Sequence, residues 1–429
     1  MTDKEVATEA PALREPGMLS ILGPGLTTGA SDDDPSGIAT YSQVGAQFGY
    51  GLAWTLIFAL PLMIAIQEIS GRIGRVSGAG IAGNLRKFYP TSVLYVIVFL
   101  LVVANTINIG ADLGAMGAAL KLLIGGPVLV YVVLFGVGSI LAEVFISYAR
   151  YEPILKWLTI SLLAYVATIF VVDVPWITIV QKIAMPSVHF NGAYFTAVVA
   201  IFGTTISPYL FFWQAEQEVE ETEEKPEEKP LREDPASAPH EFRRIRIDTA
   251  IGMVLSNVVA LCIVVTTAAT LNAHGITDIE TAEQAAEALK PIAGNFAFAV
   301  FAIGIIGTGL LAVPVLAGSA AYAVGEAMRW PSGLARKPGE AKAFYGVIAF
   351  AILVGVAMNF STQISPFKAL FWSAVINGLV AVPVMVMMML MTRRAEIMGA
   401  LTLPHWLRLL GWLATIVMIA TAAGLFLTM

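Results

Sequence analysis

Apolar residues in this chain come in long runs rather than in the alternation of a half-buried strand. Residues 93–104, 128–146, 249–271, 296–315 and 407–427 carry at most one charged residue each. Runs of that kind have lipid as their solvent, and hydrocarbon leaves two ways of satisfying backbone N–H and C=O groups, the helix and the closed barrel. A barrel would show ten-residue segments alternating between turns, and these runs do not alternate. The pattern therefore predicts an all-α integral membrane bundle. With Pro, Gly and charge read as punctuation, eleven transmembrane helices follow, at 19–47, 51–73, 92–123, 127–148, 153–173, 192–218, 245–271, 293–327, 342–359, 366–392 and 403–428.

Composition agrees with a lipid environment: 57% of the 429 residues are hydrophobic, 13% are charged, and the mean hydropathy is +0.77. Residues 1–17 are polar and no small-residue cleavage site follows the first apolar segment, so no secretory signal is expected and 1–18 reads as a tail. Charge then tests the count. With the N-terminus in the cytoplasm, only Lys121, Lys182, Lys290 and Lys368 of the 25 Lys and Arg fall on the outer side. This is the bias that cytoplasmic segments carry, and it places the C-terminus outside the cell membrane. The charge-dense stretch 216–246 reads as a solvated, flexible cytoplasmic linker.

Two spans are polar at their centres. The first contains Asp32, Asp33, Asp34, Pro35, Ser36 and Gly37, and the sixth contains Thr204, Thr205, Ser207 and Pro208. Proline removes a helix hydrogen bond and glycine loosens the backbone, so each span should part into two half-helices. Unwound backbone at membrane depth survives where it lines a site, and its freed carbonyls suit cations. The breaks are five spans apart, the pattern of the LeuT-type fold, in which an inverted five-plus-five repeat brings both to one midplane site. That divides the chain into a core at 19–392, with repeats at about 19–173 and 192–392, and an added eleventh helix at 403–428. A carboxylate inside a membrane is costly, which makes Asp34 a functional candidate, with Asp32 and Asp33 left to an interfacial vestibule. Oxygen without sulfur or imidazole suits hard cations such as magnesium, calcium or manganese.

At these residues the sequence resembles the Nramp family of divalent metal transporters, from about residue 23 to the end of the tenth span. DPSGIATYSQVGAQFGYGLAW is similar to the family's first-helix DPGN segment, Ser207-Pro208-Tyr209 stands where the family has Met-Pro-His, and FAIGIIGTG at 301–309 is similar to its eighth helix. The resemblance implies that Asp34 is the coordinating aspartate, that Gly37 replaces an asparagine, that Thr204 offers its carbonyl and that Ser207 replaces a methionine. Exchanging a thioether for a hydroxyl hardens the site, and shortening a ligand opens it. Mg²⁺ dehydrates reluctantly and takes six oxygens at about 2.0–2.1 Å, so a roomier site lets it keep waters. These departures resemble the Nramp-related magnesium transporter branch. Asn377 falls near the family's polar tenth-helix residue. The positions the family associates with proton movement are here Asn105, Tyr209 and Gln214, none of which titrates near neutral pH, although Asp112 matches a family aspartate.

The expectation is therefore a carrier that moves Mg²⁺, and Mn²⁺ with it, by alternating access without proton coupling. The metal site comprises Asp34, Gly37, Thr204, Ser207 and Asn377. The alternatives are a proton-coupled Mn²⁺/Fe²⁺ transporter of the Nramp type and an organic-solute symporter on the same scaffold, the second disfavoured because the acidic triplet repels anions. No G-x-x-x-x-G-K-S/T loop occurs, which argues against ATP-driven pumping. No enzymatic activity, cofactor, nucleic acid or obligatory protein partner is expected; the partners are the cation and the bilayer. Met385–Met391, Cys262 and the Gly110, Gly114, Ala118 stripe read as packing, and Trp54, Trp157, Trp176, Trp330 and Trp406 as interfacial anchors. His189, His240, His274 and His405 read as solvated or interfacial, and Glu216 and Glu218 equally as a solvated helix end or as attractors of cations in an inner vestibule.

Overall fold

The computed structural model describes residues 24–146, 159–225, 227–361 and 364–429. Its regular elements are all helical among those residues: α1 Pro24–Asp32, α2 Pro35–Phe48, α3 Ala53–Ser77, α4 Ile81–Phe88, α5 Thr91–Ile124, α6 Val128–Phe145, α7 Gly192–Thr205, α8 Pro208–Glu224, α9 Ala238–Thr270, α10 Ala297–Met328, α11 Lys342–Ser361, α12 Pro366–Met391 and α13 His405–Thr428, with shorter helical pieces between them. Nine segments among the described residues are long and apolar enough to cross a membrane, and they fall on nine of the expected spans. The first expected span is the pair α1 and α2. Of the fifth, a 3₁₀ turn at Thr159–Leu162 and a helix at Leu163–Thr168 are described, while its start and Trp157 lie outside the described residues, as does the tail.

The core is apolar, as in a soluble protein, but so is much of the surface. Phe99, Leu134, Phe145, Phe350 and Ile416 are exposed on helix faces, where lipid solvates them. The interior holds Asn105, Asn108, Asp112, Gln214 and the three aspartates of the first span. Without a hydrophobic force between helices in lipid, close approach depends on small residues. A methyl group on Gly203 of α7 would lie 1.9 Å from the Ala374 carbonyl oxygen and 2.5 Å from Gly378 N of α12, so those two helices touch backbone to backbone. The Gly110 and Gly114 stripe packs on α11 in the same way, with Asn359 Nδ2 donating to the Gly110 carbonyl at 2.8 Å. Met385, Met388, Met389 and Met391 are fully buried, Cys262 is buried, and the four histidines lie exposed.

The stretch 216–246 departs from its expected linker. Helix α8 runs on to Glu224 and α9 already begins at Ala238. The charges are held in pairs: Arg244 with Glu218, Arg75 with Glu228, and Arg75 with Glu241 at 3.2 Å. The backbone between is pinned to the end of α3, with Leu231 N donating to the Arg75 carbonyl at 3.0 Å and Arg232 N to the Val76 carbonyl at 3.1 Å. Composition counts charges without their partners; once paired against a helix end, these residues order the chain.

Candidate metal centre

Both expected breaks are present, and both use proline in the same way. A proline at the first helical position needs no N–H partner and has the right φ, so Pro35 starts α2 and Pro208 starts α8. The residue before each proline is pushed to extended backbone: Asp34 has φ −66° and ψ 170°, Ser207 φ −83° and ψ 134°. Helix α1 ends at Asp32 and α7 at Thr205.

The two caps then diverge. Asp34 Oδ1 accepts from Gly37 N at 2.7 Å, which satisfies one orphan donor of α2, and from the Ser36 hydroxyl at 2.6 Å. Its other oxygen, Oδ2, accepts from Asn108 Nδ2 of α5 at 3.0 Å. The same Asn108 nitrogen donates to Asp112 Oδ2 at 3.0 Å, while Asn108 Oδ1 accepts from Asn377 Nδ2 of α12 at 3.0 Å. One amide thus joins the first break, the third span and the tenth. Asp112 Oδ1 and Asn377 Oδ1 are buried in this network with no hydrogen-bond donor. Ser207, in contrast, turns its hydroxyl back on the end of α7 and donates to the Gly203 carbonyl at 2.6 Å and the Thr204 carbonyl at 2.9 Å.

Gly37 faces the sixth-span break. A methyl group there would lie 3.0 Å from Thr204 Oγ1 and 3.1 Å from the Asp32 carbonyl oxygen. Tyr209 Oη closes the other side by donating to the Ser31 carbonyl at 3.0 Å. The structure therefore places Gly37, which donates to Asp34, against Thr204, and joins Asn377 to Asp34 only through Asn108, while Ser207 is engaged with its own helix. Asp34, Ser207 and Asn377 are each 1% exposed and Thr204 2%, so all four are buried.

Asp32 and Asp33 do not line a vestibule. They are buried against α9, where the Ser256 hydroxyl donates to Asp32 Oδ2 at 2.5 Å and Asp33 Oδ1 at 3.1 Å. Asn105 donates to the Leu316 carbonyl at 2.8 Å and Ser319 Oγ at 2.7 Å of α10, and Gln214 bridges Gln67 and Thr249, so both serve as interhelical ties. A thioether also comes closer than expected. Met116, one turn beyond Asp112, packs so that a methyl group on Gly309 would meet both its sulfur, at 2.4 Å, and Pro35.

Four carboxylates, Asp32, Asp33, Asp34 and Asp112, are buried here, and among the described residues none forms a salt bridge. As an ion, each loses several kcal/mol of hydration on burial. No group of three or more His, Cys, Asp or Glu converges as a metal cage among the described residues. One or two carboxylates with neutral oxygens hold a hard cation loosely enough to release it.

Asn108 is the residue that sequence reading overlooked. The signal was available: Asn105, Asn108 and Asp112 stand at helical spacing within an otherwise apolar span, and intramembrane polar residues mark function by default.

The profile of the family described as Nramp, "Natural resistance-associated macrophage protein-like", matches residues 25–428. The chain is 26% identical over 432 residues to a divalent metal cation transporter MntH of Klebsiella pneumoniae (strain 342), covering 98% of this chain and 97% of that one. It is 28% identical over 300 residues to its namesake in Yersinia pestis (strain Pestoides F), covering 68% and 69%. Among solved structures it superposes on the manganese transporter of Eremococcus coleocola with a TM-score of 0.72 at 16% identity, over 95% of this chain and 87% of that one. It superposes on MhsT in complex with L-phenylalanine with a TM-score of 0.62 at 14% identity, over 94% and 98%. These likenesses establish the LeuT-type fold.

Proposed function

The chain belongs to the Nramp family, and from that premise we propose that it carries a divalent metal cation across the membrane by alternating access, with Mg²⁺ as cargo, Mn²⁺ as a second, and no coupled proton. The observation that carries the reading is the first break, where the buried Asp34 carboxylate has no salt-bridge partner among the described residues and is joined through Asn108 to Asp112 and Asn377. Asp34 supplies the charge, Gly37 leaves space, Thr204 presents its carbonyl, Ser207 a hydroxyl or a water contact, and Asn377 an amide oxygen as the site closes. Relatives named as divalent metal cation transporters support the substrate class. Oxygen in place of the family's thioether supports a hard ion and the magnesium branch. Asn105 and Gln214, tied into helix contacts, support transport driven by the ion gradient and the negative-inside potential alone. The inverted repeats at about 19–173 and 192–392, the added helix at 403–428 and the cytoplasmic N-terminus belong to the same proposal.

The second reading, a proton-coupled Mn²⁺/Fe²⁺ transporter, is favoured by Asp112 beside Asp34 and by Met116 packed near Pro35. Flux into proteoliposomes separates the two. The proposal expects Mg²⁺ uptake that Asp34→Ala abolishes, strong competition by Mn²⁺ and weak competition by Cd²⁺, with no acidification of the lumen. Acidification driven by a Mg²⁺ gradient and lost in Asp34→Ala, or Cd²⁺ competing as well as Mn²⁺, would establish the second.

A further inference from the structure

On the side that the Lys/Arg distribution assigns to the cytoplasm, nearly every acidic side chain of α8 is matched. Glu218 pairs with Arg244, Glu221 with Lys225 at 2.9 Å, and Glu223 approaches Arg336 at 3.7 Å. Glu220 accepts from the Tyr322 hydroxyl at 2.5 Å and Ala335 N at 2.8 Å. Glu224 is exposed at the helix end, and among the others Glu216 is the exception. It is 5% exposed, and its Oε1 is buried with no hydrogen-bond donor.

That oxygen points at another carboxylate. A methyl group on Gly80, ahead of α4, would lie 1.8 Å from Glu216 Oε1 and 2.7 Å from Glu326 Oε2, so the two side chains meet across the bare glycine. Glu326, from the end of α10, is held there by backbone: its two oxygens accept from Gly80 N and Gly83 N, each at 2.7 Å, at the start of α4. Among the described residues neither carboxylate forms a salt bridge, and Arg86 donates to the Glu326 main-chain carbonyl instead. Two carboxylates in contact repel unless a cation or a proton lies between them. Backbone N–H groups fix Glu326, and Glu216 keeps its lone pairs free.

We propose that Glu216 and Glu326 form a second divalent-cation site, apart from the Asp34 centre, which takes a hard ion such as Mg²⁺ or Mn²⁺ through carboxylate oxygens. Glu220, one turn along α8, adds negative potential without giving up its own partners. The three elements that meet there are α8, α4 and α10. An ion at this point ties the inner half of the broken sixth span to two helices that the break leaves continuous.

Counting bound Mn²⁺ on the full-length protein in detergent, by the electron paramagnetic resonance of the free ion, tests the site. Glu216→Gln loses one bound Mn²⁺ per chain, and Asp34→Ala loses a different one, so the double variant loses both. Gly80→Ala, which keeps both charges but wedges a methyl group between them, reproduces the Glu216→Gln loss and guards against a folding defect in that variant. A count unchanged by both Glu216→Gln and Gly80→Ala, as a proton shared by the carboxylates would give, overturns the proposal. The Asp34 arm reports separately on the transport site, so either can fail without the other.

Discussion

The two broken spans open with the same device and finish with different chemistry. At the first break the capping side chain is a carboxylate: one oxygen closes α2 and the other reaches across to Asn108. At the second break the capping serine spends its hydroxyl on the turn it has just left. One break therefore exports charge into a network that crosses three spans, while the other consumes its own polarity and presents neutral dipoles. Under the proposed function, the contrast would give attraction of the ion to the first break and its selection to the second.

Substitutions can break that division, beginning with the one of largest effect. Asp34→Ala removes the charge at the junction and is expected to reduce Mg²⁺ flux in proteoliposomes to the protein-free background. Asn108→Ala keeps every carboxylate but strips the donor shared by Asp34 and Asp112. Hydrogen bonds to charged groups contribute about 1.5–3 kcal/mol, so apparent affinity should fall about ten- to a hundredfold, read as a rise in KM with Asp34 intact. Gly203→Ala acts through packing: a methyl group 1.9 Å from the Ala374 carbonyl forces α7 and α12 apart, at about 1–3 kcal/mol. A lowered Tm and weaker transport are expected together, because Asn377 sits beside that contact. Ser207→Ala gives the smallest change, about 0.5–1.5 kcal/mol for a neutral hydrogen bond, whereas Ser207→Met should leave Mn²⁺ uptake and raise competition by Cd²⁺. A Ser207→Ala variant as damaged as Asp34→Ala would erase the distinction between the breaks.

Much of this arrangement was legible in the chain because its cause is local. Proline, glycine and adjacent polar residues inside an apolar run are sufficient to require a break, and Pro35 and Pro208 stand where α2 and α8 begin. What was not legible depends on partners distant in sequence. Asn108 meets Asp34 across 74 residues and Asn377 across 269, and hydropathy carries no register between helices. Asp32 and Asp33 could not be told from Asp34 by composition, yet the chain around the break sends them to Ser256 on α9. The 216–246 stretch looked soluble because its carboxylates were counted without Arg75 and Arg244. The same blindness hid Glu326, which lies 110 residues from Glu216 in the chain and against it in the fold.

The most direct test is the anomalous diffraction of Mn²⁺ in crystals of the intact protein. The account predicts a peak in the gap between the two breaks, in contact with the Asp34 carboxylate directly or through one water, that disappears in Asp34→Ala while any signal at Glu216 persists. A bound ion remote from both breaks, or a peak there that survives loss of Asp34, would contradict it.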